Sequence, residues 1–388
     1  MKSVCIIGLG YVGMPLAELC AQKGYDVVGY DILEKKSRIK TTTDPSCIKE
    51  ADIVVMCVPT PVDERHNPDY GPVQKAAESI STFMKQGQLV IIESTLNPGA
   101  TEEVIKPILD ESGKRYNLAY CPERIDPGNK EFTLTKIPRV IGGIDAESLQ
   151  LAKKFYASIL DSPIKEMSSI RAAEAVKIVE NTFRDVNIAF VNELAKGFDS
   201  IGLDVIEVIQ GASTKPFSFI PHFPSCGVGG HCIPVDPYYL IRNPGKNGFD
   251  YKFLKLAREI NEGMPAYTVK KALEAITEKG KNAKDVKISV LGLAYKGNVP
   301  DIRESPSFEI IHELRKLGVE PLVFDPHVPE KSNCSFEEAL RSDVLIFASN
   351  HDEFRQIDFS KMKDKIVIDG KNFLKIEDGS ITYKGIGR

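Results

Sequence analysis

The chain has 388 residues, 42% of them hydrophobic and 27% charged, with a formal net charge of -4. That length allows about two to three domains with sizeable cores, and the charge excludes a global basic field for nucleic acid. No apolar run approaches the roughly 20 residues of a membrane span, and MKSVCIIGLG runs straight into a core strand without a signal-peptide pattern, so a cytoplasmic location is the expectation.

Residues 1–165 alternate strand-like and helix-like runs. KSVCII, DVVGY, DIVVMC, QLVIIE, NLAYC and PRVIGG are strand-like, with helix-like stretches such as Met14 to Lys23 between most of them. Such alternation implies a parallel sheet with helices on both faces. The first strand ends in GLGYVG, which sets Gly8, Gly10 and Gly13 in GxGxxG spacing before a helix-like segment. Gly8 permits the tight turn, Gly10 admits a pyrophosphate to the backbone, and Gly13 allows close helix–strand packing, with the helix N-terminus facing the phosphates. Tyr11 and Val12 complete that loop. Asp31 ends the next strand, 18 residues after Gly13. A carboxylate there accepts hydrogen bonds from a ribose diol and repels a 2′-phosphate, which favours NAD over NADP. A glycine turn that serves packing alone is the alternative. Thr60-Pro61 and Ser94-Thr95 each follow a strand, where loops line the ligand crevice of an open α/β sheet. Turn formation and helix capping would explain them equally.

Residues 166–279 read as mostly helical. IRAAEAVKIVENTFRDVNIAFVNELAKGF has no Pro or Gly before Gly197, and YKFLKLAREINEGMPAYTVKKALEAITEKG reads as a second helical run. On the first, Lys177, Asn181 and Arg184 are spaced i, i+4, i+7 and share one face. A solvated stripe and a functional face both fit that spacing. The Ala, Val, Ile and Phe around them point to burial, and a mid-helix Asn is mildly unfavourable without a partner. Between the two runs lies GVGGHCIPVDPYYL. Cys232 follows glycines that let backbone approach a ligand. Asp236-Pro237 is a helix start, with Asp as N-cap and Pro at N1. A helix beginning there would help stabilise a thiolate, whereas a buried inert thiol is the commoner fate of a cysteine. His231 could tune the thiol, bond backbone or contact ligand. The eight cysteines show no CxxC and no zinc-type spacing, so neither a disulfide framework nor a metal is expected. Cys5 and Cys57, in apolar strand-like runs, read as small buried hydrophobes.

Residues 280–388 repeat the opening pattern. VKISVLGLAYKG echoes SVCIIGLGYVG, EPLVFD echoes DVVGYD, SDVLIFASN echoes ADIVVMCVPT, and KIVIDGKN echoes QLVIIEST. This unit has alanine at the third position of the GxGxxG pattern, so the two units are expected to bind different ligands. The expected architecture is α/β. Two Rossmann-like doubly wound parallel-sheet domains, 1–165 and 280–388, are joined by a mainly helical domain, 166–279, whose long helices can carry subunit contacts.

Taken in order, GLGYVG, Asp31, CPER at 121–124, VKIVENTFRDVNIAFVNELA, GVGGHCIPVDPYYL and GLAYKGNVPDIRESP resemble the UDP-glucose/UDP-mannuronate dehydrogenase family of nucleotide-sugar 6-dehydrogenases, over nearly the whole chain. The resemblance implies oxidation of a primary alcohol at sugar C6 to a carboxylate, in two hydride transfers to NAD⁺. A cysteine adds to the intermediate aldehyde as a thiohemiacetal, the second transfer makes a thioester, and water releases the acid. On that resemblance Cys232 is the nucleophile and Lys177 stabilises charge on the C6 oxygen. Asn181 and Asp236 orient water and that oxygen, Glu123 serves thioester hydrolysis, and Thr95 positions water near the nicotinamide. The residues implied at NAD are Gly8, Gly10, Tyr11, Val12, Gly13, Asp31, Thr60, Thr95 and Arg303. Those implied at the UDP-sugar are Glu123, Arg124, Lys177, Asn181, Arg184, Gly229, His231 and Lys296.

Enzymes for UDP-glucose typically carry FGGSCFPKD. Here VGGHCIPVD puts His231 and Val235 in place of Ser and Lys, and Arg184 follows ENTF. These variants resemble the branch acting on UDP-N-acetylhexosamines. ERIDPGN and KIPRVIGG further resemble its UDP-N-acetylglucosamine (UDP-GlcNAc) enzymes, which supply surface polysaccharides. UDP-GlcNAc therefore ranks first, UDP-N-acetylmannosamine (UDP-ManNAc) second and UDP-N-acetylgalactosamine (UDP-GalNAc) third. The implied partners are the UDP-sugar and a second copy of the chain, in a homodimer or higher homo-oligomer through the central helices, with no nucleic acid and no membrane. Family members usually have a longer segment after Asp31, with a helix and loop beside the cofactor; here 20 residues separate Asp31 from Asp52. Two other classes compete. A one-step hydroxyacid dehydrogenase of the 6-phosphogluconate type would need neither the cysteine nor the second α/β unit. A non-catalytic NAD or nucleotide sensor would not need Cys232, Lys177 and Asp236 together.

Overall fold

The computed structural model describes residues 2–125, 131–243, 248–376 and 379–388. They fold as two compact units, residues 1–181 with 238–249 and residues 182–237 with 250–388. The division runs through a long helix, whereas the sequence reads as a separate helical segment over 166–279.

The first unit contains β1 (Ser3–Ile7), α1 (Gly13–Gln22), β2 (Asp26–Tyr30), β3 (Lys40–Thr42), β4 (Ile53–Met56), α2 (Gly71–Phe83), β5 (Gln88–Ile92), α3 (Lys106–Asp110), β6 (Tyr116–Tyr120), β7 (Arg139–Gly143), α4 (Ala146–Ile159) and β8 (Ile164–Glu166), followed by α5 (Ile170–Asp199). The strands form one sheet in the order β3-β2-β1-β4-β5-β6-β7-β8. Alternate residues of β1 enter opposite layers: Val4 and Ile6 pack with Leu16, Phe155 and Tyr156, while Cys5 and Ile7 pack with Ile80 and Leu118. Burial on both faces is why β1, β4 and β5 read as unbroken apolar runs. Pairing is parallel except between β6 and β7, where Ala119 faces Gly143 in antiparallel register. No helix joins those two strands among the described residues, so the chain turns back rather than crossing over. The short segment after Asp31 holds β3 and a 3-10 turn, Pro45–Glu50, started by the Asp44 carboxylate accepting from Ser46 N–H.

The second unit takes the rest of α5 and continues with α6 (Val205–Ser213). Then come α7 (Asp236–Ile241), which starts in this unit and ends in the first, α8 (Lys252–Glu262), α9 (Met264–Glu278), β9 (Ile288–Leu291), α10 (Pro306–Lys316), β10 (Leu322–Phe324), α11 (Phe336–Leu340), β11 (Val344–Phe347), β12 (Ile366–Asp369) and β13 (Thr382–Gly385). Its five strands are all parallel, in the order β10-β9-β11-β12-β13. The α5 helix runs through Gly197 for 30 residues. The run that reads as one helix after Tyr251 is two, because Pro265 lies in the first turn of α9. Lacking an N–H, it cannot extend the hydrogen-bond ladder of α8. A buried ion pair, Arg258 Nη1 to Asp185 Oδ1 at 2.6 Å, and Asn261 Nδ2 donating to the same oxygen at 2.8 Å fasten α8 to α5. Among the described residues no helix is long and apolar enough to cross a membrane.

Candidate active site

The β1 strand delivers GLGYVG to the edge of the first sheet. Gly8 has φ +88°, and a Cβ there would meet Cys57 O at 2.8 Å; a Cβ on Gly13 would stand 1.9 Å from Gly8 O. Gly10 differs, since nothing lies within 4 Å of where its Cβ would be. That open face beside the N-terminus of α1 admits a pyrophosphate. Tyr11 is exposed, and Val12 is the N-cap of α1. Asp31 Oδ2 accepts from Leu9 N–H at 2.7 Å and Oδ1 from Leu33 N–H at 2.9 Å, which fixes the carboxylate at the edge of the turn. Ile32 and Leu33 beside it are 84% and 63% exposed. An open phosphate cradle, a fixed carboxylate for a ribose diol and apolar surface for a base fit NAD. Thr60 and Thr95, both half-buried, follow β4 and β5. Thr60 O accepts from Tyr239 OH at 2.6 Å, and Ser94 Oγ donates to Val58 O at 2.8 Å.

The corresponding turn of the second unit is closed. Asp325, which follows β10 as Asp31 follows β2, is fully buried. Its Oδ2 accepts from Leu293 N–H at 2.5 Å and Ala294 N–H at 2.8 Å and stands 3.1 Å from His351 Nε2. Its Oδ1 accepts from His327 and Val328 N–H. His351 Nδ1 accepts from Asn298 N–H, so Nε2 carries the proton that Asp325 accepts. Burial pushes the Asp325 carboxyl up, but His351 and the backbone donors outweigh it and hold it at about 2. A carboxylate so engaged is not offered to a ribose, and the two turns differ in chemistry as well as in glycine count.

The Cys232 loop is pressed onto the segment that carries Lys296 and Arg303. A Cβ on Gly229 would meet Tyr295 Cβ at 2.6 Å and Glu304 O at 2.7 Å, and Gly230, at φ +89°, faces the Tyr295 ring. Gly230 N–H donates to Arg303 O at 2.9 Å. The second unit thus brings Gly229, His231 and Cys232 together with the Lys296 turn and Arg303. Cys232 is half-buried, and its carbonyl accepts from Asp236 N–H at 2.8 Å, one residue before Pro237. Asp236 is the first residue of α7 and is buried. Arg303 folds onto Asp301, with Nη2 to Oδ2 at 2.5 Å. Burial raises the Asp301 carboxyl, but the Arg303 guanidinium, with His231 nearby, holds it below its usual range.

In the first unit the CPER loop follows β6. Arg124 forks onto Glu180, with Nε to Oε2 at 3.1 Å and Nη2 to Oε1 at 2.5 Å, and donates from Nη1 to Pro138 O at 2.7 Å. This docks the loop on the turns of α5 that carry Lys177 and Asn181, both half-buried. The Lys177 ammonium has no hydrogen-bond or ion-pair partner among the described residues. Arg184, further along the same face of α5, is exposed and belongs to the second unit. Glu123 is 5% exposed. Its Oε1 accepts from Arg124 N–H at 2.6 Å, and its Oε2 pairs with Arg139 Nη2. Arg139, fully buried at the start of β7, also lies 3.8 Å from Glu93 Oε2, and Glu93 Oε1 accepts from Tyr156 OH at 2.5 Å.

Sequence reasoning named neither Glu93, Arg139 nor Tyr156. The signal was a charged residue closing the apolar run QLVIIE and another opening PRVIGG, since buried charges have to be paired. Of the ERIDPGN run, residues 126–129 lie outside the described residues.

Three stretches match models of one family: the NAD binding domain of the UDP-glucose/GDP-mannose dehydrogenase family over residues 33–160, its central domain over 171–263 and its UDP binding domain over 289–376. The chain belongs to the UDP-glucose/GDP-mannose dehydrogenase family. It is an NAD-dependent UDP-sugar dehydrogenase. Within the family, the UDP-N-acetyl-D-mannosamine dehydrogenase of Methanocaldococcus jannaschii is 36% identical, over 97% of this chain and 93% of its own length. The UDP-N-acetyl-D-glucosamine 6-dehydrogenase of Pseudomonas aeruginosa is also 36% identical, over 91% of this chain and 92% of its own. The solved structure of the UDP-D-ManNAc dehydrogenase from Pyrococcus horikoshii superposes with a TM-score of 0.92 at 35% identity, over 100% of this chain and 99% of that one. The first alignment spans 416 positions against 388 residues here, so at least 28 positions of that relative have no counterpart in this chain. The NAD-domain match begins past GLGYVG, and the glycine turn therefore stands on its own geometry.

Proposed function

We propose that this dehydrogenase oxidises the C6 hydroxyl of a UDP-N-acetylhexosamine to the carboxylate through a covalent intermediate on Cys232. The supporting observation is the loop itself: backbone pinned by Gly229 and Gly230 presents a half-buried cysteine four residues before α7, a feature that a one-step alcohol oxidation would not need. NAD⁺, when bound, accepts a hydride in each of the two oxidations. The Gly8–Gly13 turn would hold its pyrophosphate and Asp31 its ribose, and Tyr11, Val12, Thr60 and Arg303 are assigned to the cofactor. Lys177 stabilises negative charge on the C6 oxygen as its proton leaves. The Cys232 thiolate adds to the aldehyde carbon, which keeps the hydrogen that the second oxidation removes. Glu123 helps a water to cleave the resulting thioester, Asn181 and Asp236 orient that water and the C6 oxygen, and Thr95 positions water beside the cofactor. Arg124, Arg184, Gly229, His231 and Lys296 are assigned to the UDP-sugar.

The acetamido sugar is supported by His231 and Val235 beside Cys232 and by relatives named for UDP-N-acetyl sugars. Relatives named for UDP-ManNAc recur at 35–37% identity and include the Pyrococcus horikoshii structure. UDP-ManNAc therefore moves ahead of UDP-GlcNAc, which ERIDPGN and KIPRVIGG favour, and UDP-GalNAc stays third. Given NAD⁺ and each of these sugars or UDP-glucose, the protein is expected to show its highest kcat/KM with UDP-ManNAc. A highest value with UDP-GlcNAc would restore the motif-based order, and one with UDP-glucose would overturn the acetamido reading.

The second unit exposes Phe183, Phe190, Phe217, Phe223 and Phe253 at 50% to 67%. The exposed rings of Phe183 and Phe190 on α5 and Phe253 on α8 support a second copy of the chain as the proposed partner of those helices. Light scattering is expected to give at least twice the 42.9 kDa of the chain. A monomer at micromolar concentration would contradict this.

A further inference from the structure

Behind Glu123 the first unit buries a second carboxylate against the same guanidinium. Arg139 is fully inaccessible. It pairs with Glu123 through Nη2, donates from Nη1 to Pro122 O at 3.0 Å, lies 3.8 Å from Glu93 Oε2, and has no acceptor for its Nε–H. Glu93 is 3% exposed and accepts from Tyr156 OH. Such a cluster is a costly way to join β5, β6 and β7, since well-packed apolar side chains would hold them as firmly. One cation between two acids also leaves a place for one proton. We propose that Arg139 and Glu93 are positioning residues for Glu123: the guanidinium sets the Glu123 carboxylate at the sheet edge, and the proton on Glu93 decides how much of the Arg139 charge Glu123 receives. This rests on the reading of Glu123 as the residue that serves thioester hydrolysis.

The groups that face Glu93 are Arg139 from β7, Glu123 after β6, Tyr156 from α4 and Cys57 after β4, whose Sγ is 3.9 Å from Glu93 Oε2, with Cys121 and Cys20 nearby. Burial pushes the three thiols and the phenol up, Cys20 to about 12, so they stay neutral where the Glu93 carboxyl changes. Burial, with Glu123 adding to it against the pull of Arg139, raises the Glu93 carboxyl to about 7. Below that pH Glu93 is neutral and Arg139 serves Glu123 alone. Above it the guanidinium is shared, and Glu123 is freer to take a proton from water. The acid-forming step is therefore faster on the alkaline side.

The test uses the full chain with NAD⁺ and UDP-ManNAc, or UDP-GlcNAc if that is the better substrate. Uronate release is followed from about pH 5.5 to about 9, and the mass of acid-quenched protein counts the acyl group on Cys232. The wild-type rate is expected to rise about tenfold per pH unit below the Glu93 ionisation and to level off above it. Glu93→Gln keeps the shape and removes the titration. It is expected to lose the Glu93 inflection and to stay about tenfold or more below wild type at the alkaline end, with acyl-enzyme accumulating. A Glu93→Gln profile that keeps the wild-type inflection, merely scaled, would reduce Glu93 to a structural role and overturn the proposal. Arg139→Lys provides a second reading if that variant does not fold. It keeps the charge without the fork and is expected to lower kcat and accumulate acyl-enzyme at unchanged KM; an unchanged kcat would count against the proposal. Glu123→Gln separates the two readings, because wild-type hydrolysis in that variant would remove the assigned role of Glu123 whatever Glu93 does.

Discussion

Replacing Cys232 by serine is expected to abolish acid formation while NAD⁺ still binds. The change swaps one atom at a half-buried position, so the loop held by Gly230 N–H on Arg303 O should keep its shape. The chemistry changes far more. A serine hydroxyl ionises too weakly at neutral pH to add to an aldehyde unaided, whereas a thiol is partly ionised there and intrinsically nucleophilic. The NAD-turn glycines Gly8, Gly10 and Gly13 belong to the other unit. Uronate formation should fall by at least about a thousandfold, with cofactor affinity within a few-fold of wild type by fluorescence titration. Full turnover to the acid by Cys232→Ser would rule out the covalent route.

The second large effect is expected from Lys177→Ala. The ammonium sits half-buried on α5 without an anionic partner among the described residues, on the helix to which Arg124 of the CPER loop is fastened through Glu180. If it stabilises the charge that appears on the C6 oxygen, removing it should lower kcat by about a hundred- to a thousandfold, with NAD⁺ affinity little changed. A rise in KM at unchanged kcat would make it a uniform binding residue instead. Steady-state kinetics over a range of UDP-sugar concentrations separate the two outcomes.

The glycine turn was legible in the sequence because its signal is local. GLGYVG places its glycines within six residues of one another, and the structure gives two of them steric reasons and the third an open face. The doubled strand pattern was legible for the same reason, since β1, β4, β5, β9, β11 and β12 are short apolar runs buried on both faces. The short strands β3, β8 and β13 were not, because they are half-exposed and carry no apolar period. The antiparallel return of β7 escaped because it depends on the missing crossover rather than on any residue of the strand. The break at Gly263 was legible in Pro265, but the strong helical pattern on either side masked it.

What the sequence hid most completely is pairing at long separation. Arg139 and Glu93 stand 46 positions apart in the chain, and nothing local indicates that one guanidinium serves both Glu93 and Glu123. The same holds for Asp325 and His351, which turn an apparent copy of the NAD turn into a closed one. In each case an ionisable residue at the end of an apolar strand signalled that a partner must exist, and only the fold could say which.

A two-step oxidation held on Cys232 is tested by the NADH released per UDP-sugar consumed. With NAD⁺ in excess and limiting UDP-ManNAc or UDP-GlcNAc, two NADH are expected for every molecule of sugar consumed, with no free aldehyde. One NADH per sugar, with the aldehyde accumulating in solution, would contradict it.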